Sequence, residues 1–179
     1  VADINKQMYF PFVKRRTTIY DAPIKFNNFV KGLFIENRSD KFAMDLASGK
    51  AQDIWRYRKS NIKNLMLIEI DKDAVDLITD RKYSAFMKPN SNQQLLVLNT
   101  DLNLPCKVNL SLIESLYTGD LKHPQYICCF FAFHYMTQSL PQIKNITSLI
   151  GSVLGKGGEF LYTAFDAKAV IKLLDDNKG

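Results

Sequence analysis

The 179 residues, 46% hydrophobic and 23% charged, suit one soluble globular domain large enough for a three-layer core. The longest apolar run, 126–133, is too short to span a bilayer, the opening Val-Ala-Asp-Ile-Asn-Lys lacks a signal-peptide core, and three cysteines with two histidines make neither a disulfide framework nor a zinc-ligand spacing, so a reducing compartment is expected. Residues 1–63 carry 13 Lys or Arg against 6 Asp or Glu and the rest 11 against 12, which places the net charge of +6 in the first third, where it suits a polyanion such as RNA.

In chain order, residues 1–25 read as a basic arm of irregular structure, because Pro11 and Pro23 interrupt any long helix and Lys14-Arg15-Arg16 lies between them. Over 26–36, Phe26, Phe29, Val30 and Leu33 fall at helical spacing and predict a helix with that apolar face buried. Asn27 and Lys31, four apart, share another edge, either a surface pair or the wall of a ligand site. Strands and helices then alternate: strand 42–46, helix 52–59, strand 65–70, helix 74–78, strand 95–98, helix 110–116, strand 126–133, helix 140–154, strand 159–165 and a last helix from 168. Ile143, Ile146, Leu149, Ile150 and Val153 mark the buried face of the long helix, which Gly155-Lys156-Gly157-Gly158 ends. Five such repeats predict a doubly wound, mostly parallel α/β sheet spanning 26–179.

The first strand opens onto Asp45-Leu46-Ala47-Ser48-Gly49-Lys50-Ala51-Gln52-Asp53. Apolar strand, small-residue turn and helix start a nucleotide-binding βαβ unit, in which small residues admit a ligand close to the backbone. The dinucleotide fingerprint G-x-G-x-x-G is absent, which disfavours an NAD-linked oxidoreductase. Acids on both sides of the turn, Asp45 and Asp53, suit a cationic or amino-bearing ligand, pointing to S-adenosylmethionine. Asp71 and Asp101 close the second and third strands where open α/β sheets bind ligands. There they either cap the next helix or accept from a ribose and an adenine amine.

Four segments, in order, carry a resemblance. Phe26-Asn27-Asn28-Phe29-Val30-Lys31, the turn Asp45 to Asp53, Phe131-Ala132-Phe133-His134-Tyr135, and Gly157-Gly158 with Thr163-Ala164-Phe165-Asp166-Ala167 resemble the motifs of the messenger-RNA cap guanine-N7 methyltransferases, particularly the domain found in capping enzymes of large DNA viruses. The resemblance implies a Rossmann-like class I S-adenosylmethionine-dependent methyltransferase fold. It further implies methyl transfer to guanine N7 of the 5′ cap (GpppRNA to m7GpppRNA), S-adenosylhomocysteine as product, no metal and no membrane. 5′-Capped RNA is the implied partner, together with other capping domains in the same longer chain. A cytoplasmic location follows if the source is viral, a nuclear one if cellular.

Carried over by residue, Lys31 would hold the methionine carboxylate, with Asp45, the backbone of Ala47 and Gly49, and Asp53 near the methionine moiety. Asp71 would take the ribose, Asp101 the adenine amine, and Phe130 the ligand's edge. Asn27, Phe131, His134 and Tyr135 would face the guanine, and Lys50 with Arg56 the cap phosphates. Guanine N7 has a free lone pair, so no residue is needed as acid or base; Asn27, His134 and Tyr135 position. The chain departs from the family pattern at Ala47, Ala51 and Gln52, which stand at turn positions where the family has glycine, and at Phe130, where it has glutamine. The added bulk motivates an alternative, a non-catalytic RNA-binding or regulatory domain on a degenerate fold. The family also has a further C-terminal region with an acid for guanine N1 and N2, so that part is expected to be missing or disordered here.

Overall fold

The computed structural model describes residues 18–36, 38, 42–86, 93–117 and 123–176. Most of the basic arm, including Lys14-Arg15-Arg16, lies outside the described residues. The elements are α1 (Thr18–Ile35), β1 (Phe42–Leu46), α2 (Ile54–Lys59), β2 (Asn64–Glu69), α3 (Lys72–Leu77), a wide π-turn (Ile78–Lys82), α4 (Tyr83–Phe86), β3 (Gln94–Asn99), α5 (Cys106–Ser115), β4 (Tyr126–Phe130), a 3-10 turn (Phe133–Met136), α6 (Leu140–Val153), β5 (Glu159–Thr163) and α7 (Ala167–Asp176). The strands pair in the order β3-β2-β1-β4-β5, all parallel. The chain order reverses between β1 and β4, and open α/β sheets bind ligands beyond the carboxyl ends of the strands at such a point.

β1 is buried along its whole length and separates two cores. On one face Met44, Leu46, Met66, Ile68 and Ile127 meet Ile113 of α5 and Ile146, Leu149, Ile150 and Val153 of α6. On the other, Ala43, Leu65, Leu67, Tyr126 and Cys128 meet Ile35 of α1, Ile54 and Tyr57 of α2, and Ile78 and Phe86. Strands covered on both faces read as continuous apolar runs, which is why the sequence pattern located them.

Several expectations are corrected. α1 starts eight residues before the expected boundary and carries Pro23 inside it. The proline sits in the second turn, where its missing N–H removes one bond close to a terminus that already lacks partners. The apolar face of α1 is not buried: Phe26, Phe29 and Leu33 are 65%, 63% and 51% exposed. The helix instead turns its Asn27, Val30, Lys31 and Phe34 side inward, half-buried, with Ile35 fully buried. Lys31 ion-pairs with Asp53 and Phe34 stacks on Phe130, so an ion pair and one ring contact fix the rotation that an apolar count misassigned. β4 ends at Phe130, because Phe131 takes φ 59°, outside the extended region. α5 begins at Cys106, four residues before the expected start, directly after Pro105. In α6 Ile143 is 38% exposed, and in α7 no residue is buried.

Candidate functional site

The turn after β1 is built on three left-handed positions, Ala47 (φ 54°), Gly49 (φ 55°) and Ala51 (φ 47°). Glycine adopts this region without strain, whereas an L-residue with a Cβ pays about 1–2 kcal/mol. The two alanines therefore keep the backbone path of a glycine turn. Three contacts hold it: Ser48 N–H donates to the Ile68 carbonyl at 3.1 Å, Ala51 N–H to the Ser48 carbonyl at 3.0 Å, and Gly49 N–H to Glu69 Oε2 at 2.7 Å.

Glu69 is the site residue that the sequence reading missed. It is 6% exposed, and its Oε1 accepts from the backbone N–H groups of Ile70 (3.0 Å) and Asp71 (2.9 Å). One carboxylate thus ties the turn to the end of β2. The available signal is an acid ending an otherwise apolar strand, two residues before Asp71.

At the other wall α1 delivers Lys31. Its Nζ lies 2.6 Å from Asp53 Oδ2, 5.6 Å from the Phe130 ring centroid and 5.9 Å from that of Phe131. Four of the residues singled out from the sequence therefore meet in one place. Asn27 stands one helical turn before Lys31 on the same half-buried side.

Arg56 behaves differently from expectation. Its side chain is 8% exposed and bonds Asp53 Oδ1 through Nε at 3.2 Å and Glu36 Oε1 through Nη1 at 3.0 Å, while Lys59 Nζ bonds Glu36 Oε2 at 2.6 Å. The charges form one chain, Lys31–Asp53–Arg56–Glu36–Lys59, that fastens α1 to α2. The Lys59 and Arg56 cations hold the Glu36 carboxyl below its ordinary range, the Lys59 hydrogen bond contributing most. The guanidinium also stacks over the Trp55 ring at 4.2 Å. A cation buried this far, bonded to two carboxylates and stacked on one ring, braces Asp53 against Glu36.

Asp45 lies beneath the turn, 6% exposed, and burial pushes its carboxyl up to about 7, with the Asp53 charge adding to the effect and Lys31 opposing it. Asp71 caps α3, its Oδ1 accepting from Asp73 N–H at 3.0 Å, and Asp101 Oδ1 accepts from Asn103 N–H at 2.8 Å. Each acid uses one oxygen locally, at the cleft end of the sheet. Lys50 sits half-buried in the turn.

After β4, Phe131 N–H donates to Thr163 Oγ1 at 2.9 Å, which anchors the left-handed residue to β5. The His134 ring lies 4.0 Å from that of Tyr135 and 5.9 Å from that of Phe165, and its buried Nδ1 has no hydrogen-bond partner. His134, Tyr135 and Phe165 thus form an aromatic cluster after β4. Among the described residues no three His, Cys, Asp or Glu side chains group as metal ligands, and no helix is long and apolar enough to cross a membrane.

The mRNA (guanine-N(7))-methyltransferase domain profile matches residues 12–179. The mRNA-capping enzyme of African swine fever virus (isolate Pig/Kenya/KEN-50/1950) is 29% identical over 174 residues, which are 96% of this chain and 20% of that protein. The mRNA cap guanine-N(7) methyltransferase of Drosophila melanogaster is 23% identical over 160 residues, 83% of this chain and 37% of that protein. Mostly, then, the chain spans well under half the length of these relatives, and 20% of the viral one. Among solved structures, PH0226 from Pyrococcus horikoshii OT3 superimposes with a TM-score of 0.57 at 13% identity, over 98% of this chain and 72% of that one. Glycopeptide N-methyltransferase MtfA complexed with S-adenosylmethionine gives 0.54 at 13% identity, over 80% and 52%. The likeness places the chain in the class I S-adenosylmethionine-dependent methyltransferase fold, the doubly wound sheet that the alternation of strands and helices predicts and the particular fold that the resemblance implies. By the sequence profile that matches residues 12–179, the chain belongs to the mRNA (guanine-N(7))-methyltransferase family.

Proposed function

We propose that the chain transfers a methyl group from S-adenosylmethionine to guanine N7 of the 5′ cap, converting GpppRNA to m7GpppRNA. The observation that carries this reading is the Lys31–Asp53 pair at 2.6 Å, set against Phe130 and Phe131 at the switch point of the sheet. A cation and an anion this close are a receptor for a zwitterion: an amino-acid carboxylate replaces Asp53 at Lys31, and its ammonium replaces Lys31 at Asp53. Arg56 and Glu36 keep Asp53 in place during that exchange.

The cofactor supplies an activated methyl on a sulfonium. The protein's part is to hold two ligands in line and to keep water out. Asp101 takes the adenine amine, and the acids at the end of β2 take the ribose, Asp71 with its second oxygen or Glu69, which stands closer to the turn. Asn27, Phe131, His134 and Tyr135 seat the guanine, and Lys50 meets the cap phosphates. N7 carries no proton to remove, so a general base has no task. Capped RNA is the partner, and the domain works beside other capping activities within a larger enzyme.

Ala47 and Ala51 prompted the non-catalytic alternative, and their left-handed backbone weakens it, because the turn keeps its glycine-like path. Calorimetric titration with S-adenosylmethionine and S-adenosylhomocysteine, followed by methyl transfer to GpppA and to m7GpppA, separates the two. Micromolar binding and transfer to GpppA alone supports the enzyme. A folded sample that binds capped RNA and neither cofactor form establishes the alternative.

A further inference from the structure

We propose that the outward face of α2 carries the RNA body, the nucleotides that follow the cap, with Trp55 as its stacking platform; this rests on the cap-methyltransferase reading above. α2 buries Ile54, Arg56 and Tyr57, which leaves Trp55, Arg58 and Lys59 on the solvent side. Trp55, the sole tryptophan, is 51% exposed. It is also held: the Arg56 guanidinium covers it at 4.2 Å, and Arg56 is itself fixed by Asp53 and Glu36. A ring backed by a clamped cation and open to solvent is preorganised to stack a base.

The surrounding charge fits a polyanion. Lys59 is 64% exposed by side chain, Arg58 is half-exposed, and Lys63 lies exposed just beyond the helix. Lys59, Arg56 and Lys31 pair with the two acids here, Glu36 and Asp53, three cations against two carboxylates, so the cluster keeps a net positive charge with its ion pairs formed. One aromatic among cations, without an aliphatic stripe, matches a single-stranded nucleic acid better than a membrane or an apolar protein surface. The position agrees as well, since Trp55 stands two residues past Asp53, at the rim of the cofactor site, and the helix leads away from it. The cap would react in the cleft while the following nucleotides lie along α2.

The test compares methylation of the dinucleotide GpppA with that of a ten-nucleotide GpppRNA. The wild-type chain is expected to show a lower KM for the RNA, and Trp55→Leu to raise that KM by about tenfold, the usual effect of losing one base–aromatic stack. Its KM for GpppA and its S-adenosylmethionine affinity should not change, and Trp55→Phe should restore most of the RNA effect. Lys59→Gln should reduce the dependence of log KM on log salt by about 0.7, one phosphate contact. Equal KM values for GpppA and RNA in the wild type, or a Trp55→Leu defect of the same size on both substrates, overturn the surface while leaving the methyltransferase reading intact. S-adenosylmethionine binding without methylation of GpppA overturns that reading and this inference with it. Should Trp55→Leu fail to fold, an unaltered salt slope in Lys59→Gln overturns the proposal by itself.

Discussion

Replacing Asp53 by Asn tests the charge chain that joins α1 to α2. The carboxylate is 13% exposed by side chain and meets Lys31 (18%) at 2.6 Å and Arg56 (8%) at 3.2 Å. Asparagine keeps the shape and one acceptor but removes the charge. Arg56 then retains Glu36, whereas Lys31 is left with the Phe130 and Phe131 rings. Removing one partner of a fully buried pair costs about 3–5 kcal/mol, and of an exposed pair under about 1 kcal/mol. Groups covered to this degree fall between, so the expected loss is about 2–3 kcal/mol. Urea unfolding followed by the emission of Trp55, which touches Arg56, reads this directly. With a slope of about 2 kcal/mol per molar, the midpoint should drop by roughly 1 M. Adding Lys31→Met to Asp53→Asn removes the stranded cation, and the double variant should be more stable than the sum of the single losses by about 1 kcal/mol or more. A midpoint shift below about 0.2 M, or strictly additive losses, would refute the account of α1 held by charge.

Lys31→Ala should leave the fold intact, since Asp53 keeps Arg56, and should raise the KM for S-adenosylmethionine by about tenfold or more, the worth of one charge-assisted hydrogen bond; an unchanged KM removes Lys31 from the cofactor site. Ala47→Gly and Ala51→Gly each relieve about 1–2 kcal/mol of left-handed strain and add about 0.5–1 kcal/mol of unfolded-chain entropy, so each should stabilise slightly, by up to about 1 kcal/mol, in a urea titration. Destabilisation by either would show that its methyl packs usefully. Asp45 is raised from 3.8 to about 7, so between those values the native state binds more protons than the unfolded chain, and stability should fall as pH rises from about 4 to 7 and then level. The slope it contributes is at most about 1.4 kcal/mol per pH unit, and Asp45→Asn should remove it; an unchanged pH profile in that variant would place the titration elsewhere.

Much of the fold was legible because strand and helix periods differ and because a parallel sheet covered on both faces leaves continuous apolar runs. The strands came through as 65–70 and 95–98 against Asn64–Glu69 and Gln94–Asn99. The turn from Asp45 to Asp53 stood out by its small residues at set spacing, and three of them, Ala47, Gly49 and Ala51, take left-handed backbone there. Phe131 illustrates the limit. It lies in a Phe-Phe-Ala-Phe run rich in strand-favouring rings, yet a left-handed φ ends β4 before it, and the contact that anchors it, Thr163 Oγ1, comes from 32 residues away. Local propensity cannot register such a partner.

The charged residues show the same division. As a sequence, the chain fixed which residue types stand at the strand ends and on the turn, because those depend on spacing along the backbone. Only the tertiary structure decided what each charge does. Arg56 reads as one more basic residue in a basic third of the chain, but packing α1 on α2 places Glu36 and Asp53 on either side of it and withdraws it from solvent. Glu69 reads as the end of a strand, but the return of the turn over β2 brings the Gly49 amide to it. The Lys31–Asp53, Arg56–Glu36 and Gly49–Glu69 contacts join residues 20 to 22 apart, at distances set by helix rotation and strand pairing, and no periodicity in the sequence encodes them.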